Sequence, residues 1–194
     1  EKITLDFFNR HLKDKGLDDS NRKPINLWNI TTNTWKRAFE SKFSSLKWGL
    51  SSDGLACNNN QEGLMVMNKK GAGSFTLIHD PWRPVESIGG HLSPNPGIVN
   101  REELDNRNDV ATFTSKSIKQ KIEIEGVPTL FLNVKSEGKG FDLCVALSLI
   151  NDSSNKVIQI STGFLRVIGD EAQESVIREV SMQPILADVQ KGEK

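Results

Sequence analysis

The chain has 194 residues, enough for one domain of ordinary size with a buried core. Its 25 basic and 25 acidic residues cancel, so the net charge does not favour nucleic acid, an anionic membrane or a strongly charged substrate. No apolar run approaches the roughly 20 residues of a membrane-spanning helix, and no signal peptide opens the sequence. The first residue is Glu1 and not methionine, so we expect the chain to be part of a longer protein.

Residues 2–15 are predicted to form a helix that ends at Gly16. Leu5, Phe8 and Leu12 recur at helical spacing, with polar residues on the other faces. A short helix with so apolar a face needs a surface to cover. We expect that surface to belong partly to another domain, and the stripe in this chain to be exposed or to drive self-association.

After Lys23 the pattern changes to short apolar runs separated by Gly, Asn, Asp and Pro. Strands are predicted over 24–30 and 63–67, while 31–50 gives only a weak pattern. The second half is clearer, with strands predicted over 122–134 (broken at 126–128), 141–149, 157–160, 164–168 and 175–182. Short strands about ten residues apart, without crossover helices, predict an antiparallel sandwich or jelly roll and not a parallel α/β sheet.

The two cysteines, Cys57 and Cys144, lie far apart and outside any C-x-x-C motif. A secreted disulfide scaffold would carry more cysteines, and a zinc site would show clusters with histidine. Cys144 lies in an apolar run, which favours burial. We predict two reduced structural thiols and a cytoplasmic protein, in which the sequons at Asn29 and Asn151 have no role.

The sequence lacks the nucleophile motif of an autonomous serine hydrolase. An α/β-hydrolase holds its serine at a G-x-S-x-G elbow, and the nearest segment, GAGSF at 71–75, has glycine at the serine position. It also lacks the third glycine and the helix of a dinucleotide-binding motif. We predict a flexible turn there.

The three histidines show no metal-ligand spacing. His11, His79 and His91 are isolated from one another, and His79 and Asp80 would point to opposite faces of a strand. The sequence therefore predicts no catalytic, cofactor-binding or metal-binding residue.

The tryptophans leave three interpretations open. Trp28, Trp35, Trp48 and Trp82 would fit a sugar-stacking platform, the core, or a surface that docks on a neighbouring domain. Because aromatic side chains mostly serve burial, we predict that Trp28 and Trp35 are buried in the core or at a domain interface.

Segments along nearly the whole chain carry a resemblance. They are FFNRHLK at 7–13, PINLW at 24–28 with NTWK at 33–36, the spaced F-T, D-P and PVESIGG groups of 75–90, RNDVATFTS at 107–115, and TGFLR at 162–166. In this order they resemble the cocaine esterase / Xaa-Pro dipeptidyl-peptidase family of serine hydrolases. Two departures are His11, where the family usually has tyrosine, and the end at Lys194, where relatives continue into a further strand.

The resemblance implies a mainly β fold, a jelly-roll β-sandwich of the galactose-binding-like type over 23–194. Residues 1–16 would be the helix that closes an upstream α/β-hydrolase domain. The family's catalytic serine, aspartate and histidine would all precede Glu1, so no catalytic residue is assigned here.

We therefore interpret the chain as the C-terminal accessory β domain of a serine hydrolase, with loops including 80–90 shaping the active-site cleft. Its expected partner is the N-terminal α/β-hydrolase domain of the same polypeptide, with self-association as a further expectation and no cofactor. The alternatives are a carbohydrate-binding jelly-roll module, with or without calcium, and a pure interaction domain. We expect the chain alone to be inactive; the sequence does not say whether the parent enzyme cleaves peptides, esters or acyl amides.

Overall fold

The computed structural model describes residues 4–5, 8–9, 12–13, 25–38, 44–91, 93–151, 154 and 156–194. This part of the chain is mainly β, as predicted. Outside the N-terminal segment it has a four-residue α-helix, Glu102–Asp105, and a 3-10 turn, Asp170–Gln173. The strands are β1 Ile25–Asn29, β2 Thr34–Ala38, β3 Trp48–Ser52, β4 Leu64–Met67, β5 Ala72–Gly73, β6 Thr114–Ser115, β7 Ile122–Gly126, β8 Thr129–Val134, β9 Gly140–Asn151, β10 Lys156–Ile168, β11 Val176–Ser181 and β12 Ile185–Val189. None of its helices is long and apolar enough to cross a membrane.

The strands form several small sheets. Four are antiparallel pairs, β1–β2, β7–β12, β8–β11 and β9–β10, and one is a mixed four-stranded sheet in the order β5-β3-β4-β6. Beyond its pairing with β9, strand β10 forms isolated bridges at Asn100–Ile158 and Gly163–Met182. The long β9–β10 hairpin is therefore the element to which the irregular middle of the chain and the end of β11 attach.

The structure has one strand, β10, where the sequence predicted two separate strands at 157–160 and 164–168. It is continuous from Lys156 to Ile168, with a bulge between Gln159 and Ser161 that shifts the register with β9. A bulge inserts one residue and reverses the inward–outward alternation beyond it. The sequence pattern therefore breaks there although the strand does not.

Strand β12 was not predicted, yet all five of its residues are buried. It pairs with β7, and on its other side the amide of Ile30 donates a hydrogen bond of 2.9 Å to the carbonyl of Leu186. Two of its residues, Ile185 and Ala187, form a buried apolar cluster with Ile160 of β10. Partly buried apolar residues pack around this cluster: Ile30, Ile124, Leu147, Leu149 and Ile158.

The charged residue of β12, Asp188, is buried with a partner. Lys121 Nζ lies 2.6 Å from Asp188 Oδ2, and the Asp188 amide donates to Thr31 Oγ1 at 2.8 Å. The turn that carries Thr31 is fixed by Asn29, whose Oδ1 accepts from the amides of Thr31 and Thr32, both at 3.1 Å. Asn29 is only 4% exposed, so this sequon residue serves as a turn-forming side chain.

Two further predictions need correction. Cys57 is buried, but Cys144 is exposed, because it shares the outer face of β9 with exposed Asp142 and lies opposite exposed Phe164 of β10. Ala72 and Gly73 form a strand paired with β3 and not a flexible turn. Gly73 has φ +85°, and a Cβ there would lie 1.7 Å from the Ser52 carbonyl oxygen, so glycine allows the close approach.

The predicted helix over 2–15 lies mostly outside the described residues. Thr4, Leu5, Phe8, Asn9 and Leu12 have helical backbone, and the rest of the helix stays a prediction. The three stripe residues Leu5, Phe8 and Leu12 are 62%, 49% and 74% exposed.

Candidate functional site: an anchored apolar loop

Residues 76–88, here called the apolar loop, have no helix or strand, and their backbone crosses the surface. Four large apolar side chains project from it: Leu77, Ile78, Trp82 and Val85 are 45%, 78%, 93% and 39% exposed. Loops of globular proteins are ordinarily polar at such positions, and clustered exposed apolar side chains indicate an interaction surface. The loop is therefore the strongest candidate site among the described residues.

The first half of the loop is held by a turn and an arginine. Asp80 Oδ1 accepts a hydrogen bond of 2.9 Å from the Trp82 amide, and the Asp80 carbonyl accepts one of 3.1 Å from the Arg83 amide. From outside the loop, Arg107 Nη2 donates to the Arg83 carbonyl at 2.6 Å. The turn that presents Trp82 is thus fixed at both ends.

Arg107 is itself oriented by Asp109. Its Nε and Nη2 donate to the two carboxylate oxygens at 2.7 and 2.6 Å, the bidentate geometry that orients a guanidinium best. The hydrogen bonds from Arg107 lower the pKa of Asp109, and the Arg107 positive charge lowers it further. Asp109 therefore stays ionised and keeps Arg107 aimed at the loop.

The end of the loop is anchored by a buried polar chain. Gln159 is 3% exposed; its Nε2 donates to the Ile88 carbonyl at 3.0 Å, and its Oε1 accepts from Arg101 Nη1 at 2.7 Å. Arg101 is held in turn by Asp105 at 2.7 Å. Gly89 follows at φ +60°, where a Cβ would lie 2.5 Å from Val99 Cγ2, so only glycine fits the bend.

A polar cleft of about 380 Å³ adjoins the loop. The loop contributes Thr76, Ile78, Asp80 and Arg83 to its wall, and the remaining lining residues are Asn58, Asn108 and Asp109. Cys57 lies near it, and burial raises the pKa of its thiol, with the negative charge of Asp109 adding to the effect. A thiol with a raised pKa is a poor nucleophile, so this cysteine suits a structural role.

The histidines, which the sequence analysis left without a catalytic role, form no catalytic group among the residues that the structure describes. His11 lies outside the described residues, and His79 is exposed. His91 Nε2 lies 3.4 Å from the side-chain amide of Gln183. Within the described ranges, no three His, Cys, Asp or Glu side chains are grouped to hold a metal ion.

The tryptophans are more exposed than predicted. Trp28 and Trp35 face each other across the β1–β2 hairpin, with ring centres 5.2 Å apart and planes at 69°, and they are 40% and 62% exposed. They are not core residues of this chain, so that half of the prediction is wrong. Their role at a domain interface stays a prediction.

A protein-family model described as the X-Pro dipeptidyl-peptidase C-terminal non-catalytic domain matches residues 19–194. The chain belongs to this family. The family is described as the C-terminal domain of X-Pro dipeptidyl-peptidases, and this domain is non-catalytic.

Among solved structures, an aminopeptidase from the marine sediment archaeon Thaumarchaeota archaeon is similar, with a TM-score of 0.66 at 13% identity. The similarity covers 98% of this chain and 34% of the aminopeptidase, so the chain spans about a third of the length of that protein. At this identity the likeness shows the fold. No curated protein matches the chain.

The family resemblance at 75–90 and 107–115 was the only feature of the sequence that pointed to the apolar loop and to the residues that hold it. The sequence did not indicate that Arg107 would reach the carbonyl of Arg83, 24 residues away. It gave no sign of Gln159 either, because a glutamine inside an apolar strand does not reveal its partners. These contacts join distant segments, and the folded C-terminal domain alone brings them together.

Proposed function

We propose that this chain is the C-terminal accessory β domain of an X-Pro dipeptidyl-peptidase / cocaine-esterase-like serine hydrolase. In the intact enzyme it would pack on an N-terminal α/β-hydrolase domain of the same polypeptide and shape one wall of the active-site cleft. The observation that carries the proposal is the anchored apolar loop, with Ile78 and Trp82 at 78% and 93% exposure. Family membership over 19–194 supports the non-catalytic role.

The loop has the two properties that a domain-docking surface needs. Covering a large apolar side chain stabilises by about 1.5–3 kcal/mol, and the loop offers four of them. The hydrogen bonds from Arg107 and Gln159 to its backbone hold it in place before contact, which lowers the entropic cost of association. A loop that served only to connect strands would need neither feature.

The exposed stripe of Leu5, Phe8 and Leu12 supports a second contact with the same partner. Its residues precede the family-matched region, which begins at 19. We propose the domain bounds accordingly: residues 1–16 are the closing helix of the catalytic domain, and 23–194 are the accessory domain. Both surfaces would then be covered in one intact enzyme.

For the accessory domain we propose a jelly-roll sandwich of the galactose-binding-like type. Its support is the antiparallel pairing of the long hairpin β9–β10 and of β8–β11, with Arg178 of β11 lying 5.7 Å from the ring centre of Phe141 on β9. The antiparallel bridge between Gly163 and Met182 joins these two strand pairs edge to edge, and antiparallel sheets of this kind build a jelly roll. The free thiols of Cys57 and Cys144 support a reducing, cytoplasmic location.

The docking proposal is tested in the polypeptide that includes the coding sequence upstream of Glu1. Ile78→Asp should loosen the contact, lower the melting temperature and reduce hydrolysis of Xaa-Pro dipeptide amides. Ile177→Asp is the matched control, because Ile177 is 73% exposed but lies on β11, away from the loop. Equal effects of the two substitutions would contradict the docking role of the loop.

The non-catalytic role is tested on the 194-residue chain alone. We expect no hydrolysis of proline-linked dipeptide amides or short aryl esters above background, and no labelling by a fluorophosphonate probe. Turnover that the probe abolishes would show an unrecognised serine nucleophile in this chain and would overturn the proposal.

The exposed pair Trp28–Trp35 favours carbohydrate binding as a second candidate function. Sugars stack on the flat face of an aromatic ring. Because Trp28 and Trp35 meet edge to face, their two flat faces point in different directions and do not form one shared platform. Tryptophan fluorescence should stay unchanged when mono- and oligosaccharides are titrated, with and without calcium. Saturable quenching at millimolar sugar that is lost in Trp35→Ala would establish the carbohydrate-binding module instead.

A further inference from the structure

The polar cleft beside the apolar loop holds two opposite charges on one turn. Asp80 and Arg83 both line the cleft, and they are the first and fourth residues of a turn that the Arg83 amide closes by donating to the Asp80 carbonyl at 3.1 Å. No ion pair joins their side chains, although both residues lie in the part of the chain that the structure describes. The turn therefore presents a carboxylate and a guanidinium to the same cleft as separate groups.

Both groups keep hydrogen-bonding capacity that the protein does not use. Asp80 Oδ1 accepts from the Trp82 amide at 2.9 Å, which leaves Oδ2 without a hydrogen bond from any described residue. Within the same ranges the guanidinium of Arg83 donates no hydrogen bond, since only its backbone amide and carbonyl are engaged. A guanidinium carries its N–H donors in a planar fork that fits a carboxylate, so Arg83 can bind one through paired hydrogen bonds.

The remaining lining residues add no uncompensated charge to the cleft. Both carboxylate oxygens of Asp109 accept from Arg107, at 2.7 and 2.6 Å, so this carboxylate is already paired. The hydrogen bonds from Arg107 lower the pKa of Asp109, and the positive charges of Arg107 and Arg83 lower it further, which agrees with a guanidinium of Arg83 directed toward the cleft. Asn58 and Asn108 contribute side-chain amides, which can both donate to a peptide bond and accept from it.

The spacing of the two charges favours one length of ligand. The ends of a four-residue turn lie within about 7 Å of each other, measured between Cα atoms, and two residues of extended peptide span at most about 7 Å. A single amino acid carries both charged groups on one carbon atom and is too short for this spacing. The cleft volume of about 380 Å³ lies at the lower end of the range for small-molecule sites. Both observations favour a dipeptide.

The turn is held in place independently of any ligand. Asp80 Oδ1 fixes it from within through the Trp82 amide, and Arg107 Nη2 fixes it from outside by donating to the Arg83 carbonyl at 2.6 Å. A site whose backbone is fixed beforehand loses less conformational entropy when a ligand binds. The two charged side chains therefore start from a backbone that is already arranged for binding.

We propose that this cleft binds a dipeptide whose two termini are free, with the ammonium group on Asp80 and the carboxylate on Arg83. Asn58 and Asn108 would bind the peptide bond between the termini. The site itself needs only this chain. That the natural ligand is an Xaa-Pro dipeptide released by the intact enzyme rests on the proposed function, because the same loop would then lie beside the active-site cleft.

An NMR titration of the isotope-labelled 194-residue chain tests the site. Both charged groups contact solvent, so the dipeptide Ala-Pro should bind with a dissociation constant of about 1 mM and shift the amide signals of the residues that line the cleft. N-acetyl-Ala-Pro lacks the ammonium group and Ala-Pro amide lacks the carboxylate, so each should bind about three- to tenfold more weakly. Free alanine carries both charges too close together and should bind no better than these two.

Two substitutions assign each terminus to its residue. Asp80→Asn keeps an oxygen for the Trp82 amide and removes the negative charge, so it should weaken Ala-Pro about three- to tenfold and leave N-acetyl-Ala-Pro unchanged. Arg83→Gln keeps the carbonyl that Arg107 holds, so it should weaken Ala-Pro equally and leave Ala-Pro amide unchanged. These pairs of ligand and variant form double-mutant cycles, whereas a merely structural role of either residue would weaken every ligand alike.

Arg166→Gln is the matched control. Arg166 is an exposed arginine of β10 whose guanidinium pairs with Asp142, outside the cleft, so this variant should bind Ala-Pro as the wild type does. The proposal is overturned if Ala-Pro causes no shift around the cleft well above millimolar concentration, if the two blocked dipeptides bind as tightly as Ala-Pro, or if Ala-Pro binding persists in both cleft variants. Alanine that binds as tightly as Ala-Pro contradicts the dipeptide length. None of these results affects the docking role of the loop, which Ile78→Asp tests in the longer polypeptide.

Discussion

Strand β12 and the apolar loop are both short apolar segments, yet one is fully buried and the other projects into solvent. Strand β12 has neighbours on both sides, β7 and the turn after β1, and all five of its residues are covered. The loop is held through the backbone carbonyls of Arg83 and Ile88, and its large apolar side chains stay exposed. An apolar sequence therefore favours burial of a segment in general. The way the backbone of that segment is attached decides whether other parts of the same chain bury its side chains.

The two segments also use ion pairs differently. In the core, the buried Asp188 carboxylate is stabilised by Lys121, whose side chain is 56% exposed. Beside the loop, the Arg107–Asp109 pair orients a donor toward a backbone carbonyl. The first pair compensates a buried charge, and the second positions a surface.

The largest effect is expected from a truncation in β12. Leu186 is 2% exposed, so Leu186→Ala should lower the free energy of unfolding by about 2–5 kcal/mol through lost burial and a cavity. Urea denaturation followed by circular dichroism measures it. A loss below about 1 kcal/mol would mean that β12 is not part of the cooperative core.

A smaller loss is expected from the anchor at the end of the loop. Gln159→Ala removes the hydrogen-bond partner of the Ile88 carbonyl and of Arg101 Nη1, which should lower the free energy of unfolding by about 1–3 kcal/mol. It should also raise the protease sensitivity of residues 80–90, which Leu186→Ala should do only through global unfolding. Limited proteolysis at low denaturant separates the two effects; unchanged cleavage in Gln159→Ala would argue against the anchoring role.

The Asp109–Arg107 pair predicts a pH dependence of the loop. The folded-state pKa of Asp109 is lowered, so its contribution is present above the unfolded-state pKa and is lost as the pH falls through the folded-state value. Loop protection should therefore decrease in acid, and Asp109→Asn should remove that part of the decrease. Hydrogen exchange of residues 80–88 across the acid range checks it; an identical acid profile in Asp109→Asn would contradict the assignment.

The smallest effect is expected at the most exposed side chain. Trp82 is 93% exposed, so Trp82→Ala should change the stability of the 194-residue chain by less than about 0.5 kcal/mol. In a polypeptide that includes the upstream domain the same substitution should be destabilising. Equal, small effects in both forms would remove Trp82 from the docking surface.

Strand periodicity predicted much of the β fold. The alternation of 122–134 and 141–149 predicted β7, β8 and β9, and the break at Gly126 coincides with the end of β7. Period-two patterning is a local property, because each residue of a half-buried strand records which face it occupies. The family resemblance, carried by ordered short motifs, led to the family that the model match confirmed.

Other elements depended on contacts that no local pattern records. Strand β12 was missed because it is covered on both faces and contains Asp188, whose burial depends on Lys121. The exposure of Cys144 depended on which face of β9 looks outward, and the continuity of β10 depended on a bulge.

The sequence by itself therefore determined a mainly β domain of this family, without a recognisable nucleophile motif. Only the tertiary structure decided which apolar segments stay uncovered and which polar groups hold them. The physical reason is that local pattern fixes the period of an element, whereas burial and hydrogen-bond partnership are set by residues far away in the chain.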